Sequence, residues 1–125
     1  MRPGWEDEQM VTALLNHEAI AQIRTIESSV GRNDLFSGFV RKLEATVSGF
    51  SATFSDSIAR GDTKAAERAA HTLKGICRQL GAHALGDLFE DIERSAKAGN
   101  YAEAKRKFDD GAELISQSLE ALKQA

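Results

Sequence analysis

Between Phe36 and Ile58 the apolar residues fall on one strip: Phe36, then Phe39 with Val40, then Leu43, Val47, Phe50, Phe54 and Ile58, each step three or four residues on. That interval matches a 3.6-residue period and nothing else, so the spacing predicts a long amphipathic helix from Asp34 to Arg60, about 40 Å at 1.5 Å per residue. An aromatic strip at this spacing is a core face. The only proline is Pro3, so nothing downstream interrupts further helices.

The rest of the chain follows the same period, and no segment alternates with period two. Before the long helix B, Asn16 is an N-cap signal, with Leu15 and Ile20 placed as a hydrophobic staple. It opens a short helix A, His17 to about Ser29, with Ile20, Ile23, Ile26 and Val30 as its apolar face. Gly61 ends helix B and Asp62 caps helix C, which runs to about Leu80. Helix D turns Leu85, Leu88, Phe89, Ile92 and Ala96 inward and stops at Gly99. Asn100, with Glu103 three residues on, starts helix E, whose core line is Tyr101, Ala104, Phe108, Ala112, Ile115, Leu119 and Leu122. The expected fold is all-α: an antiparallel up-down four-helix bundle of helices B to E, with helix A as a short addition. Residues 1–15, with Pro3, Gly4 and Trp5, are expected to be a flexible N-terminal segment, and residues 16–125 the bundle domain.

Composition narrows the partners. Sixteen basic against nineteen acidic residues leave a net charge of -3, which argues against nucleic acid or an anionic membrane. One cysteine forbids an internal disulfide, and no apolar run reaches the roughly 18 residues of a membrane span, so a cytoplasmic protein is expected.

The candidate chemistry lies on helix C. Ala66, Ala69, Ala70, Leu73, Cys77 and Leu80 share one face, and His71 points about 160° away from Leu73, toward water. Around it on that outer face come Lys64, Glu67, Arg68, Lys74, Gly75 and Arg78. A helical side chain leans toward the N-terminus, so the residue four positions on covers a given spot; here that is Gly75, which leaves the ring open. His17 and His83 have no organised neighbours, and Cys77 reads as a small buried residue. Other chemistries fail on spacing. A di-iron bundle needs inward Glu-x-x-His pairs, and Glu67 with His71 is one residue too long and faces outward. His71 and Cys77 diverge by about 120°, which excludes a shared zinc. There is no Gly-x-Ser-x-Gly elbow and no Gly-rich phosphate loop, so neither a hydrolase nor an ATP site is expected. What remains is an outward imidazole among cations, which suits phosphoryl transfer: a neutral imidazole is a good nucleophile, and cations stabilise the charge it acquires.

The run His71-Thr72-Leu73-Lys74-Gly75, preceded by Ala69-Ala70 and followed by Leu80-Gly81-Ala82, resembles the signature of histidine-containing phosphotransfer (HPt) domains of multistep phosphorelays. The resemblance covers about residues 16–123. It implies that His71 is phosphorylated by a receiver-domain aspartyl phosphate and passes the group to another receiver. It further implies that Lys74 is a phosphate-stabilising neighbour and Gly75 the opening above the ring. Lys64, Arg68 and Arg78 become phosphate neighbours or docking residues. Glu93 matches the Gln or Glu that many members bring from the next helix; its competing role is an ordinary i+4 pair with Lys97. The family usually has two small residues after the glycine, where this chain has Ile76 and Cys77, so Ile76 is a candidate docking residue and partner choice is where the chain departs. The expected protein is a monomeric phosphocarrier and not an enzyme in its own right, with no cofactor and no metal of its own, Mg²⁺ being supplied by the receiver. Two rivals stay open: a helical interaction module that is never phosphorylated, and the phosphoacceptor domain of a histidine kinase.

Overall fold

A computed structural model describes residues 8–125, with side chains from Val11 onward. Among the described residues the chain is helical with no strand: α1 (Glu8–Leu14), α2 (His17–Val30), α3 (Leu35–Ala59), α4 (Thr63–Gln79), α5 (His83–Lys97), α6 (Tyr101–Asp110) and α7 (Ala112–Gln124). Tight connections at 60–62, 80–82 and 98–100 fold α3, α4, α5 and α6 back on one another, and α7 closes the bundle against α3 and α5. The expected all-α bundle with an added N-terminal helix is what the chain forms. No helix among the described residues is long and apolar enough to cross a membrane.

The helix starts follow the capping chemistry. Asn16 Oδ1 accepts from the Glu18 and Ala19 amides at 3.0 and 3.4 Å, Asp62 Oδ1 from Ala65 at 3.0 Å, and Asn100 Oδ1 from Glu103 at 3.3 Å. Within the bundle the centre is aromatic. The Phe50 ring lies 5.5 Å from Phe54, 5.4 Å from Phe89 and 4.8 Å from Phe108, joining three legs. Such pairs add roughly 0.5–1.5 kcal/mol each beyond the area they bury.

Four features depart from the sequence expectation. Part of the N-terminal segment expected to be loose is helix α1, which packs against α5 and α7; Val11 and Leu14 give even this short helix an apolar face, and Leu14 and the following Leu15 are buried. Trp5 lies outside the described residues. The single last helix expected from Tyr101 to Leu122 is bent at Gly111, which ends α6 and starts α7 with φ -85° and ψ 7°. A Cβ there would come within 2.7 Å of Leu88 Cδ2, so the bend seats α5 directly against backbone.

The other two departures concern α2 and its neighbour. Ile26 and Val30, expected in the core, are 51% and 59% exposed, and Phe39 is 42% exposed. The inward position of α2 is taken by Glu27, which is buried and accepts the Phe36 amide of α3 at 2.8 Å and the Arg24 guanidinium at 3.0 Å. Glu27 thus caps α3 from a different helix, and Asp34, the residue at the cap position, makes no side-chain cap bond. These bonds hold its carboxyl below the usual range, first through the Phe36 amide and then through Arg24.

Gly81 ties the N-terminal helices to the bundle. Its φ of +85° suits glycine, and its carbonyl accepts the Asn16 amide at 2.6 Å. An added Cβ would sit 2.7 Å from the Asn16 carbonyl oxygen, so the α4–α5 turn and the α2 cap meet only with glycine here.

Candidate functional site

Burial of Ala66, Ala70, Leu73 and Cys77 fixes the rotation of α4, and His71 is consequently turned outward with 64% of its side chain exposed. On α5, burial of Leu85, Phe89, Ile92 and Ala96 does the same, leaving Glu93 on the edge that faces α4. The two helices run close together. Gly86 carries the Arg78 side chain across its backbone, where a Cβ would meet Arg78 Cγ at 2.9 Å.

Glu93 is the hub of the site. Its side chain is 5% exposed, and three groups converge on it: His71 Nδ1 at 2.9 Å and Lys97 Nζ at 3.2 Å on Oε2, and Lys74 Nζ at 2.7 Å on Oε1. Burial pushes the Glu93 carboxyl up, but hydrogen bonds from Lys74, His71 and Lys97, with the charge of Lys74, outweigh it and bring the carboxyl down to about 2. At neutral pH Glu93 is therefore a carboxylate, which can only accept hydrogen bonds. Nδ1 of His71 must carry the proton in that bond. In the neutral ring Nε2 is then a bare lone pair on the exposed edge.

The remaining sequence candidates are distributed around this hub. Lys74 is only 19% exposed and is drawn to Glu93. Gly75 lies in the open, where an added Cβ would meet nothing within 4 Å. Arg78 points to α5, with Nη2 at 3.3 Å from Asp87 and 3.2 Å from Glu90. Lys64 pairs with Glu67 at 3.6 Å, and Arg68 is exposed. Ile76 is half-buried and lines an apolar groove of about 370 Å³ with Ile23, Phe39, Lys42, Gln79 and Leu80. His83 Nε2 lies 3.2 Å from the Thr12 carbonyl. Cys77 is fully buried, and burial pushes its thiol up to about 12.

Sequence reading set Lys97 and His71 as competitors for Glu93; the carboxylate holds both. The signal for this was present, since Lys97 is four residues after Glu93. Gly86 carries no such signal in the sequence, because its small size matters only where Arg78 crosses it.

A buried carboxylate thus holds one nitrogen of a solvent-facing histidine and leaves the other free, on the flank of a helical bundle. The family model of the Hpt domain matches residues 13–125, and the chain belongs to that family. No curated protein and no solved structure matches it. Its members act as phosphocarriers in phosphorelays and interact with receiver domains.

Proposed function

We propose that Nε2 of His71 accepts a phosphoryl group from the aspartyl phosphate of a docked receiver domain and later donates it to the aspartate of a second receiver. The observation that supports this most directly is the 2.9 Å contact between His71 Nδ1 and Glu93 Oε2, in a ring whose other edge is exposed.

In the forward step the Nε2 lone pair forms the new N–P bond while the acyl-phosphate P–O bond breaks and the receiver carboxylate leaves. The Nδ1 proton stays between the ring and Glu93. The phosphorylated ring then carries positive charge beside a carboxylate, which stabilises it. Lys74 and Lys97 keep Glu93 ionised and aimed. Gly75 leaves room for the receiver's approach, and Ile76, at the edge of the apolar groove, contributes to its docking. Mg²⁺ enters with the receiver, and no nucleotide is required of this chain. The carrier works as a monomer.

The test is incubation with candidate phosphorylated receivers from the same cell, scoring transfer of label to the wild-type chain and to His71→Gln. Wild type is expected to take an acid-labile label and the variant none, with its helical fold intact. Equal labelling of the variant would remove His71 from the role.

A further inference from the structure

The cations near His71 differ in what they already hold. Lys74 and Lys97 are both on Glu93, Arg78 is on Asp87 and Glu90, and Lys64 is on Glu67. Arg68 alone among them pairs with no carboxylate of the described residues, and it is exposed.

Its position is also the right one. Arg68 precedes His71 by three residues, so the two are surface neighbours on α4, roughly 5–6 Å apart at Cβ. The His71 side chain leans toward the helix N-terminus, over the turn that carries Arg68. On its other side Arg68 borders a groove between α3 and α4 lined by Thr46, Phe50, Thr53, Ala65 and Thr72, with no carboxylate in its walls. The acid next to it in sequence, Glu67, is turned to Lys64. A guanidinium presents a planar fork of donors that fits two phosphoryl oxygens at once, whereas each lysine near the ring is a point charge already engaged.

We propose that Arg68 is the residue that binds the phosphoryl group carried on His71 Nε2, while Lys74 and Lys97 act on the opposite edge of the ring through Glu93. This assignment rests on the reading of His71 as the phosphoacceptor. It divides the site in two: one cation-braced carboxylate sets the ring, and a separate, uncommitted arginine meets the phosphate. It also makes Arg68 independent of which receiver docks, because its ligand is the phosphoryl group itself.

A small phosphodonor separates this from docking. With phosphoramidate, the donor P–N bond breaks, ammonia leaves and the Nε2–P bond forms without any receiver. Wild type, Arg68→Gln, Arg68→Lys and His71→Gln would be labelled side by side, with phosphohistidine followed by ³¹P NMR and the Arg68 Nε–H followed by ¹H–¹⁵N NMR. Arg68→Gln, folded as judged by an unchanged melting curve, is expected to label roughly tenfold more slowly, the loss of about one charge-assisted hydrogen bond. Arg68→Lys should recover part of the rate, and the wild-type Arg68 Nε–H should shift and become protected on phosphorylation. Unchanged labelling of Arg68→Gln, or an Arg68 Nε–H indifferent to phosphorylation, overturns the assignment while His71 keeps its role. Wild type that labels no faster than His71→Gln overturns the reading of His71 itself, and the Arg68 assignment falls with it.

Discussion

Glu93 Oε2 of α5 lies 2.9 Å from His71 Nδ1 of α4, twenty-two residues apart in the chain and joined across the most extensively packed helix pair of the bundle. A buried carboxylate and an exposed imidazole share this bond, so the partner that sets the ring is protected from solvent while the ring is not. Replacing Glu93 therefore changes the ring's tautomer before anything else. In Glu93→Ala, ¹⁵N NMR of His71 should show the proton moving from Nδ1 to Nε2, and transfer from a phosphorylated receiver should slow by about tenfold or more, in line with a lost charge-assisted bond. Glu93→Gln keeps an acceptor for Nδ1 without the charge and should fall between the two.

The same carboxyl sets a pH dependence. Held at about 2 against an ordinary 4.5, Glu93 binds a proton more readily in the unfolded chain than in the folded one. Its stabilising contribution is complete above about 4.5 and is lost as the pH falls through that value toward 2. Urea unfolding across this window should show wild type losing more stability than Glu93→Gln, which has no proton to take up. Parallel curves for the two would show that the cluster around Glu93 does not hold in solution.

Gly75 separates helix stability from access. Alanine there meets no atom within 4 Å and removes a mid-helix glycine, so Gly75→Ala should stabilise the chain by about 0.5–1 kcal/mol in chemical denaturation. A longer side chain would reach over the ring toward the space a receiver needs. Gly75→Leu should fold as well as wild type yet transfer phosphate poorly, a combination that melting and transfer assays read independently.

Cys77 should be silent in the folded chain. It is fully buried and its thiol is pushed up to about 12, so a disulfide reagent at pH 8 finds no thiolate and no path. One thiol per chain should react only after denaturant is added. Rapid native labelling would mean that α4 opens far more readily than its packing indicates.

Phe50 tests the centre of the bundle. Its ring touches aromatic partners from α3, α5 and α6, and no smaller side chain spans those distances. Phe50→Ala should cost about 3–5 kcal/mol, measured as a shift in the denaturation midpoint, while α4 keeps its helical content.

The sequence by itself determined helices α2 to α5, the start of α6, the caps at Asn16, Asp62 and Asn100, and the outward direction of His71. Each of these depends on residues within one or two turns of one another: a period of 3.6, a side-chain oxygen near a free amide, an imidazole opposite Leu73 and Cys77. Local spacing therefore carries the information. Only the tertiary structure decided where Glu93 goes, since a residue on the edge of α5 could serve Lys97 alone until the α4–α5 packing, with Arg78 crossing Gly86, brings His71 and Lys74 within reach. It also decided that Glu27 fills the inward place of α2, leaving Ile26 and Val30 in solvent, because the free amide of Phe36 that Glu27 accepts belongs to another helix. The bend at Gly111 is of the same kind, dictated by Leu88 from α5. Hydrophobic periodicity tells a helix which face to bury, but which polar group is drawn into that face is settled by the unsatisfied donors of its neighbours, and those are not written within the helix itself.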